Sequence, residues 1–270
     1  ERLDFSCALL DAEGKLVVNA PHIPVHLGAL GLCVRTVSRG REWKEGDMVI
    51  VNHPAFGGSH LPDVTLVSPV FIKGRLTAFV ANRAHHAEIG GRTPGSMPAS
   101  ACSLEEEGVV LSPELLFDGG ESRFHVIEEI FRSSKYPSRM LGDNLADLSA
   151  QAAANHHGVR RMRELVGASS HEAVIRNMRS LFHRASAVIR EQLRSRVDCR
   201  WRGEDSLDDG SLIRVDLQVS GESLRIDFGG SGPVHPGNLN ATEAIVRSAV
   251  LYVLRAWVGE DLPLNEGLLD

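Results

Sequence analysis

Two short runs, Gly57-Gly58-Ser59-His60-Leu61-Pro62-Asp63 and Asn82-Arg83-Ala84-His85-His86-Ala87-Glu88, hold residue types that bind metals. Between them Val64 to Phe71 and Leu76 to Ala81 are apolar and rich in β-branched residues, with Lys73-Gly74 to turn, so the segment reads as one β-hairpin. A turn centred between positions 73 and 74 makes position 63 face 84 and position 62 face 85. The hairpin therefore returns His85 and His86 to the neighbourhood of His60 and Asp63. Two or three imidazoles with one carboxylate suit a divalent transition metal, with open coordination positions left to water or substrate. His60, Asp63 and His85 are the expected ligands. Neighbouring strand side chains alternate, so His86 points away from His85, and one of the two supports the site rather than binding the metal. Glu88 reads equally as a group that orients such a histidine, as a base, or as a solvated loop carboxylate. His22 and His26 sit among Pro21 and Pro24 in a stiff segment, as pocket residues or as surface groups. Asp143, Asp147 and Gln151 recur every four residues on one helix face, either lining a pocket or, for the aspartates, complementing a helix N-terminus. Glu107 ends an acidic run, Glu105-Glu106-Glu107, which in its plain reading is a solvated face.

The rest of the chain must position these groups. With 270 residues, 43% hydrophobic and 24% charged, it can bury a substantial core. A net charge of -6 without Lys/Arg runs argues against nucleic acid as a partner. Cys7, Cys33, Cys102 and Cys199 are scattered without a CxxC, which fits a reducing, cytoplasmic setting. No apolar run approaches the roughly 20 residues that span a bilayer, so no membrane is expected as a partner. The expected fold class is α+β (mixed α/β), a fragment of a larger subunit that starts at Glu1 and stops at Asp270 in mid-pattern. Residues 1–142 form a β-hairpin-rich region around the metal site. Asp4 to Ala20 turns at Asp11-Ala12-Glu13-Gly14, a helix runs from Leu27 to about Arg39, and a long Gly/Pro loop covers Ile89 to Ser100. Gly14-Lys15 is no phosphate-binding loop, because Leu16 stands where Ser or Thr is needed. Residues 143–200 form a central antiparallel helical hairpin. Its first helix, Asp143 to Val166, carries an apolar stripe of Leu148, Ala152, Val159, Met162 and Leu165 and stops at Gly167. Ser169 and Glu172 make a capping box for the second, which extends to about Arg196. Residues 201–270 begin a β/α region: strands Ser211 to Val219 and Ser223 to Phe228, then a buried helix from Ala241 to Val258 that is apolar almost all round.

The runs Asp4-Phe5-Ser6-Cys7-Ala8, His22 to Gly28, Gly57 to Asp63, Arg83 to Gly91, Pro94-Gly95-Ser96-Met97-Pro98, Glu107-Gly108, Asp147 to Gln151 and Gly237 to Ala241 resemble the hydantoinase B/5-oxoprolinase family. Asn52-His53-Pro54, Asp143-Asn144-Leu145, Asp208 to Ser211 and Val258 to Asn265 are most similar to its oxoprolinase branch. The resemblance implies half of an ATP-dependent enzyme. A hydantoinase A type partner, separate or fused, uses ATP to phosphorylate a carbonyl oxygen of a small-molecule substrate, and a subunit like this one completes the reaction at a metal. A hetero-oligomer follows, with manganese, zinc or iron as cofactor and a cyclic amide, 5-oxoproline or a hydantoin, as substrate. His60, Asp63 and His85 match the metal ligands of the related carboxylases. His86 and Glu88 would support them or move protons, and His22, His26, Glu107 and Asp147 would line the pocket. Glu88 departs from the family's usual Asp, and His53 varies between branches. An ATP-dependent ketone carboxylase subunit of the same family is the alternative within it; a scaffold subunit with a structural metal is the alternative outside it.

Overall fold

The computed structural model describes residues 4–20, 23–196, 198–259, 262 and 265–270. His22, one of the pocket candidates, lies outside the described residues.

The expected hairpin is the centre of the fold. Strands β1 (Phe5–Asp11), β2 (Leu16–Asn19), β3 (Met48–Val51), β4 (Asp63–Ile72), β5 (Arg75–His85), β6 (Glu114–Asp118) and β7 (Glu121–Ser122) form one sheet in the order β2-β1-β5-β4-β3-β6-β7. Every neighbouring pair is antiparallel. Lys73 and Gly74 both take positive φ, 50° and 75°, the backbone that a two-residue turn needs to match strand twist. The register corrects the expected one. Ile72 faces Arg75 and Phe71 faces Leu76, but then the pairing shifts, so that Val70 faces Ala78 and Asp63 faces His85 rather than Ala84. Thr77 is the extra residue of this β-bulge. Because side chains alternate with period two, the one-residue shift decides which histidine shares a face with Asp63.

β4 and β5 are buried on both faces, and two layers account for it. On one side α1 (Ala29–Ser38) sets Leu30 and Val34 against Leu10, Val67, Phe79 and Ala81. On the other, α4 (Leu141–Ala168) and α5 (His171–Arg194) set Met162, Val174, Met178 and Phe182 against Val70, Ala78 and Val80. Val166 and Val174, and Met162 and Met178, lie equally far along the chain from Ser170 and share one cluster, as antiparallel helices require. Near its start α4 also packs Leu148 and Ala152 with Ile127 and Phe131 of α3 (Phe124–Ser133) over β3 and β4.

Several boundaries differ from expectation. α4 runs through Gly167, and Ser170 caps α5 by accepting from Ala173 N, one residue after the expected cap. Leu165 is 52% exposed rather than part of the apolar stripe, and buried amides of Asn144, Gln151 and Asn155 occupy much of the face of α4 that meets the sheet. A second antiparallel sheet, β10-β9-β8, is made by β8 (Cys199–Ser206), β9 (Leu212–Ser220) and β10 (Ser223–Asp227). Its helix α6 (Glu243–Val258) buries Leu251, Leu254 and Val258 but leaves Val253 62% exposed, so it is amphipathic and not buried all round. Elements β6, β7, α3 and β8 were not expected.

Gly57 fixes the approach to His60. It has φ 83°, and a Cβ there would stand 2.6 Å from Cys33 N and 2.7 Å from its Cα. Gly74, at φ 75°, faces open space. Gly74→Ala should therefore cost only the left-handed backbone, about 1 kcal/mol, whereas Gly57→Ala adds a collision with backbone that cannot move aside and should cost at least about 2 kcal/mol. Urea unfolding of both variants checks the order; equal losses would contradict it.

Candidate metal centre

Asp63 opens β4 and is 1% exposed. Around its two oxygens stand imidazoles from three parts of the chain. His85 Nδ1 lies 3.2 Å from Oδ1; His26 Nε2 lies 3.3 Å and His60 Nδ1 3.5 Å from Oδ2. The Ser59 hydroxyl donates to Oδ2. His60 and His85 meet edge to face with ring centroids 5.0 Å apart. Asp4 is at the margin, its Oδ2 4.0 Å from His85 Nδ1. One ligand atom each from His60, Asp63 and His85 fall within 4.8 Å of one another, and so do those of Asp4, His26 and Asp63. His60 Nδ1 is buried without a hydrogen-bond partner among the described residues. A buried, unpartnered ring nitrogen beside a buried carboxylate is the arrangement that a divalent cation would satisfy, and the nitrogen and oxygen donors suit zinc, manganese or iron.

Local sequence explains each position. Pro62 and Asp63 end a turn in which Asp63 N bonds to His60 O, which keeps His60 and Asp63 on one side. Pro24–His26 is a single 3-10 turn led by proline, and Ser6 Oγ lies 3.0 Å from His26 Nδ1, so His26 Nε2 is turned toward Asp63. Asn52, 0% exposed, bonds through Nδ2 to Leu61 O and Val109 O and accepts from Leu111 N, pinning the residue after His60. Burial by itself would raise the Asp63 carboxyl. Hydrogen bonds from His26 and His85, with the charges of His60 and Arg83, outweigh burial and hold it well below the usual carboxylate range. Burial lowers the His60 imidazole despite the attraction of Asp63. Arg83 is fully buried two residues before His85, bonded to Thr65 Oγ1 and Gly57 O, and its Nη1 has no hydrogen-bond partner among the described residues.

The remaining candidates separate by location. His26 belongs to the cluster. His86 is buried on the opposite side of the strand, against α4, where Gln151 and Asn144 take up both ring nitrogens. Burial lowers its imidazole more than the Gln151 hydrogen bond raises it. The Glu88 carboxylate accepts from Gly90 N and Gly95 N and pairs with Arg139, so it clasps the Gly/Pro loop to the start of α4. Glu107 ends α2 (Leu104–Glu107), where its carbonyl accepts from Met97 N and burial raises its carboxyl; it is not in the cluster. Asp147 is exposed on α4 and lines a cleft of about 930 Å³ with Asp4, Phe5, Cys7 and His85. Asp143 is exposed as well, while Gln151 is buried. The loop from residue 229 to Thr242 also reaches the site, through Asn238 to Pro98 O and Thr242 to Gly58 O. Asp4, Ser59 and Arg83 were not singled out from sequence. For Arg83 a signal existed, since a charge inside an apolar strand needs a reason.

Residues 1–270 match the family model described as Hydantoinase B/oxoprolinase. The chain belongs to that family. Within it, the 5-oxoprolinase of Saccharomyces cerevisiae is 44% identical over 284 residues, covering 100% of this chain and 22% of that protein. This member thus spans about a fifth of the length of that relative. The ATP-dependent caprolactamase of Pseudomonas jessenii has the same fold at a TM-score of 0.90 and 29% identity, over 98% of this chain and 46% of that one. Acetone carboxylase, in a nucleotide-free structure, matches at a TM-score of 0.83 and 16% identity, over 98% of this chain and 38% of that one, a likeness of fold alone.

Asp63, His60 and His86 all titrate lower in the folded chain than in the unfolded one. Each therefore stabilises the fold above its unfolded value and loses that contribution as pH falls toward the folded one. Metal-free protein should lose stability below about pH 6.5 through the imidazoles, and again below about pH 4 through Asp63. Urea midpoints across this range check it. His60→Gln should flatten the first stage; a slope as steep as in the parent protein would contradict the assignment.

Proposed function

We propose that this chain forms the metal-dependent half of an ATP-dependent cyclic amide hydrolase, opening 5-oxoproline or a hydantoin after a hydantoinase A type partner or fused domain has phosphorylated the ring carbonyl. The observation that carries this reading is the convergence of His60, Asp63 and His85 with a buried, unpartnered His60 Nδ1. His60, Asp63 and His85 would hold the cation, with His26 and Asp4 grouped about the same Asp63 carboxylate. A divalent cation held by these residues would supply Lewis acidity, making water a competent nucleophile near neutral pH and polarising a substrate oxygen.

The chain's own residues supply the rest. Asp63, held ionised, gives the centre its fixed negative charge. Ser6 Oγ, 3.0 Å from His26 Nδ1, would accept its N–H when a cation is bound and so free the Nε2 lone pair, which in the metal-free protein gives way to an N–H directed at Asp63. Asp4 and Asp147 are the carboxylates that line the cleft beside His85, and they take the proton released as water adds to the activated carbon. Small residues, Ala84, Ala87 and Gly95, leave room there for a ring. O-phosphorylation makes the otherwise unreactive amide carbon imidate-like; once water has added, the ring C–N bond breaks as the proton passes on to the nitrogen, which leaves as the amine, and a second water cleaves the resulting acyl phosphate to carboxylate and phosphate. The absence of a phosphate-binding motif in these 270 residues is consistent with ATP being used elsewhere. The acetone carboxylase likeness extends to the fold alone, so the hydrolase reading is favoured over the carboxylase one.

Elemental analysis and turnover of the full enzyme test this. With ATP, 5-oxoproline or a hydantoin should be opened, and ketone plus bicarbonate should not react. His60→Ala and His85→Ala should keep the fold by circular dichroism yet lose metal affinity by about 100-fold or more, together with ring opening. A metal-free enzyme that remains active would sink the proposal. A scaffold role predicts variants that either unfold or stay fully active.

A further inference from the structure

On the α4 side of the hairpin, behind the cleft whose lining includes Asn82 and Gln151, lies a feature to which the proposed chemistry gives no part. From half-buried Ser138, just before α4, to the sheet, side chains donate hydrogen bonds in single file, the later members buried. The Ser138 hydroxyl donates to Asn144 Oδ1, and Asn144 Nδ2 to His86 Nδ1 (3.1 Å). His86 Nε2 donates to Gln151 Oε1 (3.1 Å), and Gln151 Nε2 to Asn82 Oδ1 (2.8 Å). Asn82 Nδ2 then donates to Asn155 Oδ1 (2.8 Å), and Asn155 Nδ2 to Ser68 Oγ (3.1 Å). Amide nitrogens only donate and amide oxygens only accept, so the direction of the whole file follows from its members. Side branches leave the same amides for backbone: Gln151 Nε2 to Val64 O, Asn82 Nδ2 to Gln151 O, and Asn144 Nδ2 to Glu88 O.

The points of attachment matter. Val64 follows Asp63, and His86 follows His85. The file therefore grips the backbone immediately behind two of the expected ligands, from the face opposite to their side chains. Asn144 adds Glu88, which clasps the loop beside the cleft. Leu or Met would fill the same space between α4 and the sheet, but neither could fix a strand along its own axis; a directional contact does so, and a displacement of about 1 Å at a ligand is enough to weaken a site.

We propose that the oriented file Ser138–Asn144–His86–Gln151–Asn82–Asn155–Ser68 is the positioning device of the metal centre, with Gln151 as its key residue and His86 as a linker rather than an acid or base. This rests on the metal reading above. The direction of the file yields a test that burial does not. At Asn155→Asp the new carboxylate still accepts from Asn82, and the Ser68 hydroxyl turns round to donate. At Gln151→Glu the carboxylate still accepts from His86, but its other oxygen meets Val64 O and Asn82 Oδ1, both acceptors. Even when protonated, one O–H cannot serve two of them. Burial alone ranks the variants the other way, because Asn155 is 2% exposed and Gln151 6%.

The experiment is chelator competition with zinc and manganese on the full protein, together with kcat and KM for ring opening. Gln151→Glu should bind metal roughly 10- to 100-fold more weakly, the range for groups that orient ligands, with kcat reduced and KM little changed. Asn155→Asp, whose hydrogen bonds to Asn82 and Ser68 can both be remade, should lose clearly less than Gln151→Glu in both. If Gln151→Glu does not fold, Gln151→Ala replaces it, with the same expected order against Asn155→Asp. Equal affinities, or a larger loss at Asn155→Asp, would overturn the inference while leaving the metal centre intact. A parent protein that binds no metal would overturn the function proposal itself.

Discussion

The structure depends on keeping the Asp63 carboxylate ionised although it is almost completely removed from water. Taking a lone carboxylate into a protein interior costs several kcal/mol unless donors and opposite charge surround it. Here the donors are Ser59, His26 and His85, and the buried Arg83 adds a full positive charge nearby. None of these comes from the same element as Asp63, apart from the turn that carries Ser59 and His60. Folding of the sheet and assembly of the charged cluster are therefore one event. The arrangement is complete only when the strands, the 3-10 turn at His26 and the glycine-led turn at Gly57 all reach their places.

The scaffold divides that work between two layers. α1 and its neighbours cover the face on which Gly57, Arg83 and Cys33 pack, so the His60 turn is braced by backbone contacts too close for any side chain at Gly57. α4 covers the other face with amides rather than hydrocarbon at Asn144, Gln151 and Asn155. A polar interface of this kind specifies one register, because any slip leaves buried amides unsatisfied. Side chains on strands and helices, rather than on mobile loops, hold most of the candidate ligands, and the Gly/Pro loop is itself tied down by Glu88 and Arg139.

Much of this was legible in the sequence because it was local. Lys73-Gly74 between two β-branched runs specifies a hairpin, and a hairpin brings its ends together whatever the details. The Thr77 bulge was not legible, since nothing in Arg75-Leu76-Thr77-Ala78 marks one residue as extra, and it changed the partner of Asp63 from Ala84 to His85. The approach of Asp4 and His26 depends on β1 pairing with β5 across most of a domain, a contact that no local pattern encodes. Ser169 and Ser170 are equally able to cap, so the boundary fell one residue late. β8 escaped because Cys199–Ser206 contains one large apolar residue, Trp201, and is exposed along nearly its whole length. For α6, a nearly continuous apolar surface gave no means of telling Leu254, which is buried, from Val253, which is not.

Whether Asp63 and its imidazoles bind a catalytic cation is decided by anomalous diffraction from crystals of the full protein grown with zinc or manganese. An anomalous peak is expected at about 2.0–2.3 Å from a carboxylate oxygen of Asp63 and from ring nitrogens of His60 and His85. A metal-replete crystal with no peak beside Asp63, or with its only peak elsewhere, would contradict it.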